Sequence, residues 1–385
     1  MGVADLSLNF CGGAQVVTLA MIDALRSRGH EVTLITADKV DWEKVKIYLN
    51  VEKLPDHEKS ATTYDIIQSL GENPVQGFFL VISFVRKLLS SIKEQDVVIN
   101  AYGDLDLAIG VANICFFNSF PFSLSNLFPK TAPSVMRGSY TAGLYKALKA
   151  ISPMKRKCLV LTNSNYMKEI LSRYLKLSAL VVHPPVKLDD FRVDLEREDI
   201  VITVSRYVPG KELDKLLIIA KLVDNAKFLI IGRAYDRSYL SLLFKLKDSL
   251  GLDNVEILSN IPRKRLIDLI GRARLYLHAN PKEPFGISIV EAMASGCVPI
   301  VPREGGPWID ILSGSDGIFG YSYTNPDEAA FHIRKLIKNE DLWQEISSRC
   351  VKRSKHFDKK FFNKKFVKIV EEYANRIQGK TLSKF

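Results

Sequence analysis

The sequence is short of the features that mark secreted, membrane-spanning or metal-dependent chains. Its five cysteines (Cys11, Cys115, Cys158, Cys297 and Cys350) are odd in number, scattered, and include no C-x-x-C pair. That excludes a disulfide framework and a zinc ribbon, and points to a reducing compartment. No run approaches the ~18 uninterrupted apolar residues that span a bilayer. The N-terminus lacks the basic, apolar and small-residue layout of a secretory signal. The six histidines fall into no metal-ligand spacing. P-loop, G-x-S-x-G elbow and Cys/His catalytic set are missing, as are fixed-period repeats and low-complexity tracts. Together these absences predict a soluble cytoplasmic protein. Carboxylates are also missing locally. None occurs between Asp106 and Glu169, a stretch holding Lys130, Arg137, Lys146, Lys149, Lys155, Arg156, Lys157 and Lys168.

What is present is an ordinary globular composition over 385 residues, 47% hydrophobic and 25% charged. That length suggests two domains, each able to bury a core. Fifty-four Lys and Arg against 43 Asp and Glu give a net charge of +11, which favours an anionic partner. The tail is basic through Lys352, Arg353, Lys355, Lys359, Lys360, Lys364, Lys365 and Lys368. No helix-turn-helix, RRM, KH or zinc-finger pattern accompanies the charge, so nucleic acid is not the expected partner.

Short β-branched runs alternate with helical patterns. Residues 14–28 carry Val17, Ala20, Met21 and Leu25 on one helical face and end at Gly29. Strands are predicted at 31–36, 96–100, 114–117, 158–162 and 180–183, and Pro184-Pro185 closes that series. A second series reads at 200–205, 228–231, 255–258, 275–278 and 298–301. Strands separated by helices mean parallel sheets covered on both faces. The prediction is α/β, with two doubly wound, Rossmann-like domains facing across a cleft. Domain bounds are set at 1–185 and 186–360. Residues 361–385 form a helix and tail expected to pack back towards the first domain. Ligands of such folds bind at the carboxyl ends of strands.

Residues 281–302, PKEPFGISIVEAMASGCVPIVP, carry the strongest signal. A strand runs into a loop with Glu283, Pro284, Phe285 and Gly286, and a helix starts at once at Ile287. Gly286 permits close backbone approach, and the first-turn N–H groups favour an anion. Glu291 lies further along the apolar helix, where a carboxylate must reach solvent or hold a hydroxyl. Two glutamates seven residues apart suit a sugar ring and a ribose on either side of a phosphate. Arg206 and Lys211 follow the first strand of the second series, where a guanidinium fork and an ammonium suit a diphosphate without a metal. Gly12-Gly13 links a short first strand to the first helix and suits a phosphate, though it is not G-x-G-x-x-G. The shortness of that strand predicts a natural start slightly upstream of Met1.

The 281–302 segment resembles the E-x7-E signature of retaining GT-B glycosyltransferases of glycosyltransferase family 4. Its continuation through Gly305-Gly306-Pro307 and Asp310-Ile311 is similar to the asparagine-linked glycosylation mannosyltransferases that extend dolichol-linked oligosaccharide. The resemblance is strong over 200–312 and weak over the N-terminal half. It implies a hexosyltransferase, moving mannose or glucose from a nucleotide-diphosphate sugar to a lipid-linked or membrane-proximal glycan with retention. Glu283, Arg206 and Lys211 then carry catalysis. Gly12, Gly13, Arg206, Lys211, Gly232, Glu283, Phe285, Gly286, Ile287 and Glu291 hold the donor. The family's acceptor-side His-x-Pro is replaced here by Ser119-Phe120-Pro121, which makes Asn118 and Ser119 the nearest polar substitutes. No cofactor and no metal are expected.

Three further features weigh against or beside this reading. Asp104-Leu105-Asp106 imitates the metal-binding D-x-D of GT-A enzymes, but the triplet is common by chance and the second domain would be superfluous. A non-catalytic sugar-nucleotide or polyanion-binding module is the alternative in function. It need not have kept both glutamates. Residues 78–93, with Arg86 and Lys87 among apolar side chains, and Phe120, Phe122, Phe128, Tyr140 and Tyr145 in the acid-free stretch suggest an interfacial face. They predict peripheral attachment to the cytoplasmic side of an anionic membrane.

Overall fold

A computed structural model describes residues 1–49, 51–62, 74–91, 93–103, 112–124, 158–193 and 196–379. The chain divides into two compact units: Met1–Pro185 with Lys360–Phe385, and Val186–Lys359. Asp104, Asp106 and most of the acid-free stretch lie outside the described residues.

The first unit holds β1 (Gly2–Ala4), α1 (Gly13–Ser27), β2 (Thr33–Thr36), α2 (Trp42–Tyr48), β3 (His57–Ser60), α3 (Pro74–Ser91), β4 (Val98–Asn100), β5 (Ile114–Phe117), β6 (Leu159–Thr162), α4 (Asn165–Leu175) and β7 (Ala179–Val181). Its seven strands are ordered β3-β2-β1-β4-β5-β6-β7, and every pairing is parallel. The central strands are mainly apolar and fully buried, as expected where helices cover both faces. On α3, Phe84 and Leu88 are core residues beside Ile35 and Val98. Phe120, expected at the surface, is instead buried edge-on against Tyr166. The interfacial reading of these residues gives way to core packing. The side chains of Phe122, Phe128, Tyr140 and Tyr145 lie outside the described set.

The second unit holds β8 (Glu198–Val204), α5 (Asp214–Lys221), β9 (Lys227–Gly232), α6 (Arg237–Leu250), β10 (Val255–Ser259), α7 (Arg263–Arg272), β11 (Ala273–Leu277), α8 (Ile287–Ala294), β12 (Val298–Pro302), β13 (Tyr321–Tyr323), α9 (Pro326–Lys338) and α10 (Glu340–Ser354). Its sheet is also parallel, ordered β10-β9-β8-β11-β12-β13. Both sheets therefore reverse direction next to their own first strand, between β1 and β4 and between β8 and β11. That reversal opens a crevice beyond the carboxyl ends, the ligand position of doubly wound sheets. Helix starts are capped as the sequence permits: Ser164 accepts from Met167 N, Asp236 from Tyr239 N and Asn325 from Glu328 N.

The unit is closed by its own ends. Val186 N donates to Phe357 O at 3.0 Å, and Lys359 N donates to Val186 O at 3.1 Å. The last helix, α11 (Lys359–Ile377), then buries Phe362, Phe366, Val367, Val370 and Ala374 in the core built around α1 and β1 of the first unit. Among the described residues no helix is long and apolar enough to cross a membrane.

Candidate active site

The crevice of the second sheet is built by the loops after β8 and β11. Tyr207 anchors the first loop. Its ring is fully buried, and its hydroxyl lies 2.7 and 2.8 Å from the carbonyls of Ile230 and Leu258. With Tyr207 inward, Arg206 is turned outward, its guanidinium 5.5 Å from the ring centre of Tyr235; Arg233 lies 5.1 Å from the same ring. A short turn at Pro209–Lys211 ends in Glu212 with φ 52, and it aims Lys211 across the reversal.

The second loop is braced from behind. Gly306 N donates to Glu283 O at 2.9 Å. A Cβ on Gly306 would stand 2.0 Å from Pro284 O, so only glycine allows this contact. Helix α8 begins at Gly286, whose φ of 99 no side chain adopts readily. Its first turn is tied to both central strands, because Ser288 Oγ lies 2.8 Å from the Tyr276 hydroxyl and donates to Val204 O at 3.2 Å. The first-turn N–H groups of α8 thus face the crevice from a fixed position.

These supports bring Lys211 and Glu283 together. Lys211 Nζ donates to Glu283 Oε2 at 2.5 Å, with side chains only 19% and 14% exposed. His278, at the end of β11, places Nε2 3.7 Å from the same oxygen. Burial pushes the Glu283 carboxyl up, but Lys211, His278 and Arg206 outweigh it and hold the group below the usual carboxylate range. Burial pushes His278 down to about 4, against the pull of Glu283. Arg206, Lys211 and Glu283 therefore form one charged cluster at the sheet reversal, with the neutral His278 ring beside it.

Glu291 meets a different cation. Its Oε1 accepts from Arg263 at 2.9 Å, and Arg263 lies 5.4 Å from the ring centre of Phe191. Two of the expected donor residues are explained otherwise. Phe285 sends its ring into the core, edge-on to Phe357 at 5.3 Å. Gly232 is required by the backbone, since a Cβ there would lie 1.7 Å from Ser205 O. Ile287 opens α8 half-buried. In the first unit Gly12 and Gly13 begin α1, with Gln15 Oε1 accepting from Gly12 N at 3.0 Å. Asn118, after β5, is buried, and its amide donates to Ala101 O at 2.8 Å; Ser119 follows, partly exposed.

In the sequence His278 is one of two histidines, with His183, that end strands and could line a cleft. Its contact with Glu283 has no local signature. Arg263 has none either, reading as one solvated cation among many, nor does the Tyr276–Ser288 tie, which joins a strand to a helix.

The second unit is thus a doubly wound α/β domain with an arginine, a lysine and a glutamate at its reversal. Residues 187–357 match the family described as glycosyl transferases group 1. The chain is 23% identical, over 298 residues, to the GDP-Man:Man(3)GlcNAc(2)-PP-Dol alpha-1,2-mannosyltransferase of Dictyostelium discoideum; the match covers 71% of this chain and 57% of that protein. The chain thus spans little more than half the length of that relative. Among solved structures it resembles sucrose-phosphate synthase from Thermosynechococcus elongatus, with a TM-score of 0.73 at 15% identity over 96% of this chain and 98% of that one. It also resembles Anabaena HepE in complex with UDP and glucose, with a TM-score of 0.70 at 17% identity over 96% and 98%. The fold is that of the two-domain GT-B glycosyltransferases.

Proposed function

We propose that the chain is a hexosyltransferase that moves mannose from a nucleotide-diphosphate sugar to a lipid-linked glycan, with retention of configuration. The observation that carries this reading is the Lys211–Glu283 pair at the reversal of the second sheet. A cation for a diphosphate and a carboxylate for sugar hydroxyls stand within one hydrogen bond of each other. The printed activity of the mannosyltransferase relatives supports the choice of sugar and acceptor.

In this reading the diphosphate lies between Arg206, Lys211 and the N-terminal turn of α8. Charge that develops on the leaving phosphate is met by groups already in place, so little reorganisation is needed. Glu283 holds hydroxyls of the transferred sugar, and Glu291 holds the ribose. No side chain is placed as a nucleophile. Retention then follows from attack on the face the diphosphate leaves, with a phosphate oxygen taking the acceptor's proton. Arg206 and Lys211 supply the positive charge that a divalent ion supplies elsewhere, so no metal is required. The enzyme works from the cytoplasmic face of a membrane, held there by its positive charge.

The test is a thermal-shift and transfer assay with GDP-mannose, UDP-glucose and UDP-N-acetylglucosamine. GDP-mannose is expected to raise the melting temperature most, since a ligand that binds only the folded state stabilises it by mass action. Mannose is expected to appear on a lipid-linked Man(3)GlcNAc(2)-type acceptor, and to keep appearing in EDTA. Binding of all three donors without transfer or hydrolysis would leave a binding module. Activity that vanishes in EDTA and returns with manganese would replace Arg206 and Lys211 by a metal site, with Asp104 and Asp106 as its candidate ligands.

A further inference from the structure

His278 has no role in the scheme above, yet it is the least satisfied group at the reversal. It is 5% exposed, and neither ring nitrogen has a well-formed hydrogen-bond partner among the described residues, the Asn280 backbone alone coming within weak reach of the ring. Buried imidazoles without a partner are rare, because an unmade hydrogen bond leaves the full desolvation cost standing. Its Nε2 lies 3.7 Å from Glu283 Oε2, just beyond hydrogen-bond distance, and the same oxygen is already held by Lys211. The ring cannot move away easily. Its own backbone is pinned on both sides, with His278 N donating to Ile300 O at 2.9 Å and Tyr323 Oη donating to His278 O at 2.6 Å.

We infer that His278 is the reserve counter-ion of Glu283, taking up one proton from solvent when the donor diphosphate draws Lys211 away. This rests on the proposed function, in which Lys211 binds the diphosphate. A buried carboxylate cannot lose its only hydrogen-bonded cation without a replacement. His278 is the group placed to supply one. Protonated, its Nε2–H donates to Glu283 Oε2 and keeps the carboxylate aimed at the sugar. When the diphosphate departs, Lys211 returns and the proton leaves to solvent.

The charged and titratable groups around the ring agree with this exchange. The loop after β11 contributes Glu283, with the Asn280 backbone beside the ring. The loop after β8 contributes Lys211, Arg206 against Glu283, and Glu212, which faces Tyr323. Strand β13 contributes the Tyr323 hydroxyl, and β12 contributes only the Ile300 carbonyl. In the free protein burial holds the ring neutral down to about 4, with Lys211 adding to that against the pull of Glu283. Moving Lys211 onto an anion removes its share and leaves Glu283, 3.7 Å from Nε2, without its hydrogen-bonded cation. His278 is thus a positioning residue for Glu283.

Isothermal titration of the full chain with GDP-mannose and UDP-glucose, in buffers of different ionisation enthalpy, counts the protons taken up on binding. Nucleotide sugars are the correct probes because their diphosphate diester does not titrate near neutral pH, unlike a free nucleoside diphosphate. Uptake is expected to approach about one proton per donor near pH 6 and to shrink towards pH 8 and below pH 4. His278→Gln is expected to bind donor with no uptake, and its kcat/KM is expected to lack the fall on the alkaline side expected of the wild type. If that variant misfolds, proton NMR of the wild type carries the test. One of the six histidine rings is expected to convert from neutral to charged on adding donor at constant pH. Donor binding without proton uptake, or uptake that survives His278→Gln, overturns this inference and leaves the proposed function standing. Failure to bind any nucleotide sugar overturns both.

Discussion

At the scale of single residues, the two glutamates of the E-x7-E segment should fail in different ways, and the structure gives each its reason. Glu283 is paired to Lys211 and backed by His278, at the place where the sugar–phosphate bond would break. In the proposed reading its contacts strengthen as charge develops at the anomeric carbon, so Glu283→Gln is expected to lower kcat more than it raises the donor KM. Glu291 sits just over one turn into α8 with Arg263, and in the proposed reading it grips the ribose equally before and during reaction. Glu291→Ala is expected to raise the donor KM with kcat nearly unchanged. Each loss should be tenfold to hundredfold, about the 1.5–3 kcal/mol of a charge-assisted hydrogen bond. Steady-state kinetics with varied donor, on variants whose circular dichroism matches the wild type, measures both. Near wild-type kinetics in both variants would remove the assignment. The residue types of this site were legible in the sequence because a loop glutamate, a glycine and a helix start leave a local pattern. The pairing was not. Lys211 and Glu283 are 72 residues apart, and only the strand order β8-β11 makes them neighbours. Phe285 and Gly232 also serve packing and close backbone approach, which the pattern did not show.

At the scale of elements, the strands that were read are short runs with three or more apolar residues. Those missed, His57–Ser60 and Tyr321–Tyr323, are short, polar or aromatic edge strands. An edge strand has one hydrogen-bonded neighbour and need not be apolar, so neither leaves an alternation to find. The connection from β1 to α1 hides another feature, a buried carboxyl. Asp5 accepts from Thr18 Oγ1 at 2.5 Å, Ser7 N at 3.2 Å and Gln15 Nε2 at 3.4 Å. Burial nevertheless outweighs these bonds and, with the charge of Asp38, raises the group from 3.8 to about 6. A carboxyl raised on folding favours the folded state below its unfolded value, and that contribution is lost as pH rises through the raised one. Asp5 therefore costs the first unit roughly 3 kcal/mol on going from below pH 4 to above pH 6. Asp5→Asn cannot titrate. Its stability relative to wild type is expected to climb by about that amount across this window, then stay level. Denaturant unfolding of both proteins at a series of pH values measures the difference. A flat difference would mean that Asp5 is charged throughout, or neutral throughout.

At the scale of the whole molecule, two sheets with the same reversal were foreseeable from two series of strands broken at Pro184-Pro185. The helical run after residue 340 gave no further strand, and its last helix, α11, supplies core side chains to the first unit. Charge belongs to this scale too. The excess of +11 is not consumed by the ion pairs of the second unit, where most cations at strand and helix ends meet a local carboxylate. It concentrates in the sequence between Asp106 and Glu169 and along α11, whose Lys359, Lys360, Lys364, Lys365 and Lys368 precede its two glutamates. A surface field of this sign draws the protein to anionic lipid at about 1 kcal/mol per cation near the headgroups, without any inserted segment. The expected outcome is sedimentation with phosphatidylserine-containing vesicles at low ionic strength and little with neutral phosphatidylcholine. Raising salt should release the protein, because the Debye length falls from about 10 Å at 0.1 M to about 3 Å at 1 M. An apolar anchor would behave otherwise, holding equally to both lipids and tightening with salt. Equal binding to neutral and anionic vesicles at every salt concentration would therefore assign attachment to buried apolar surface and remove charge as its cause.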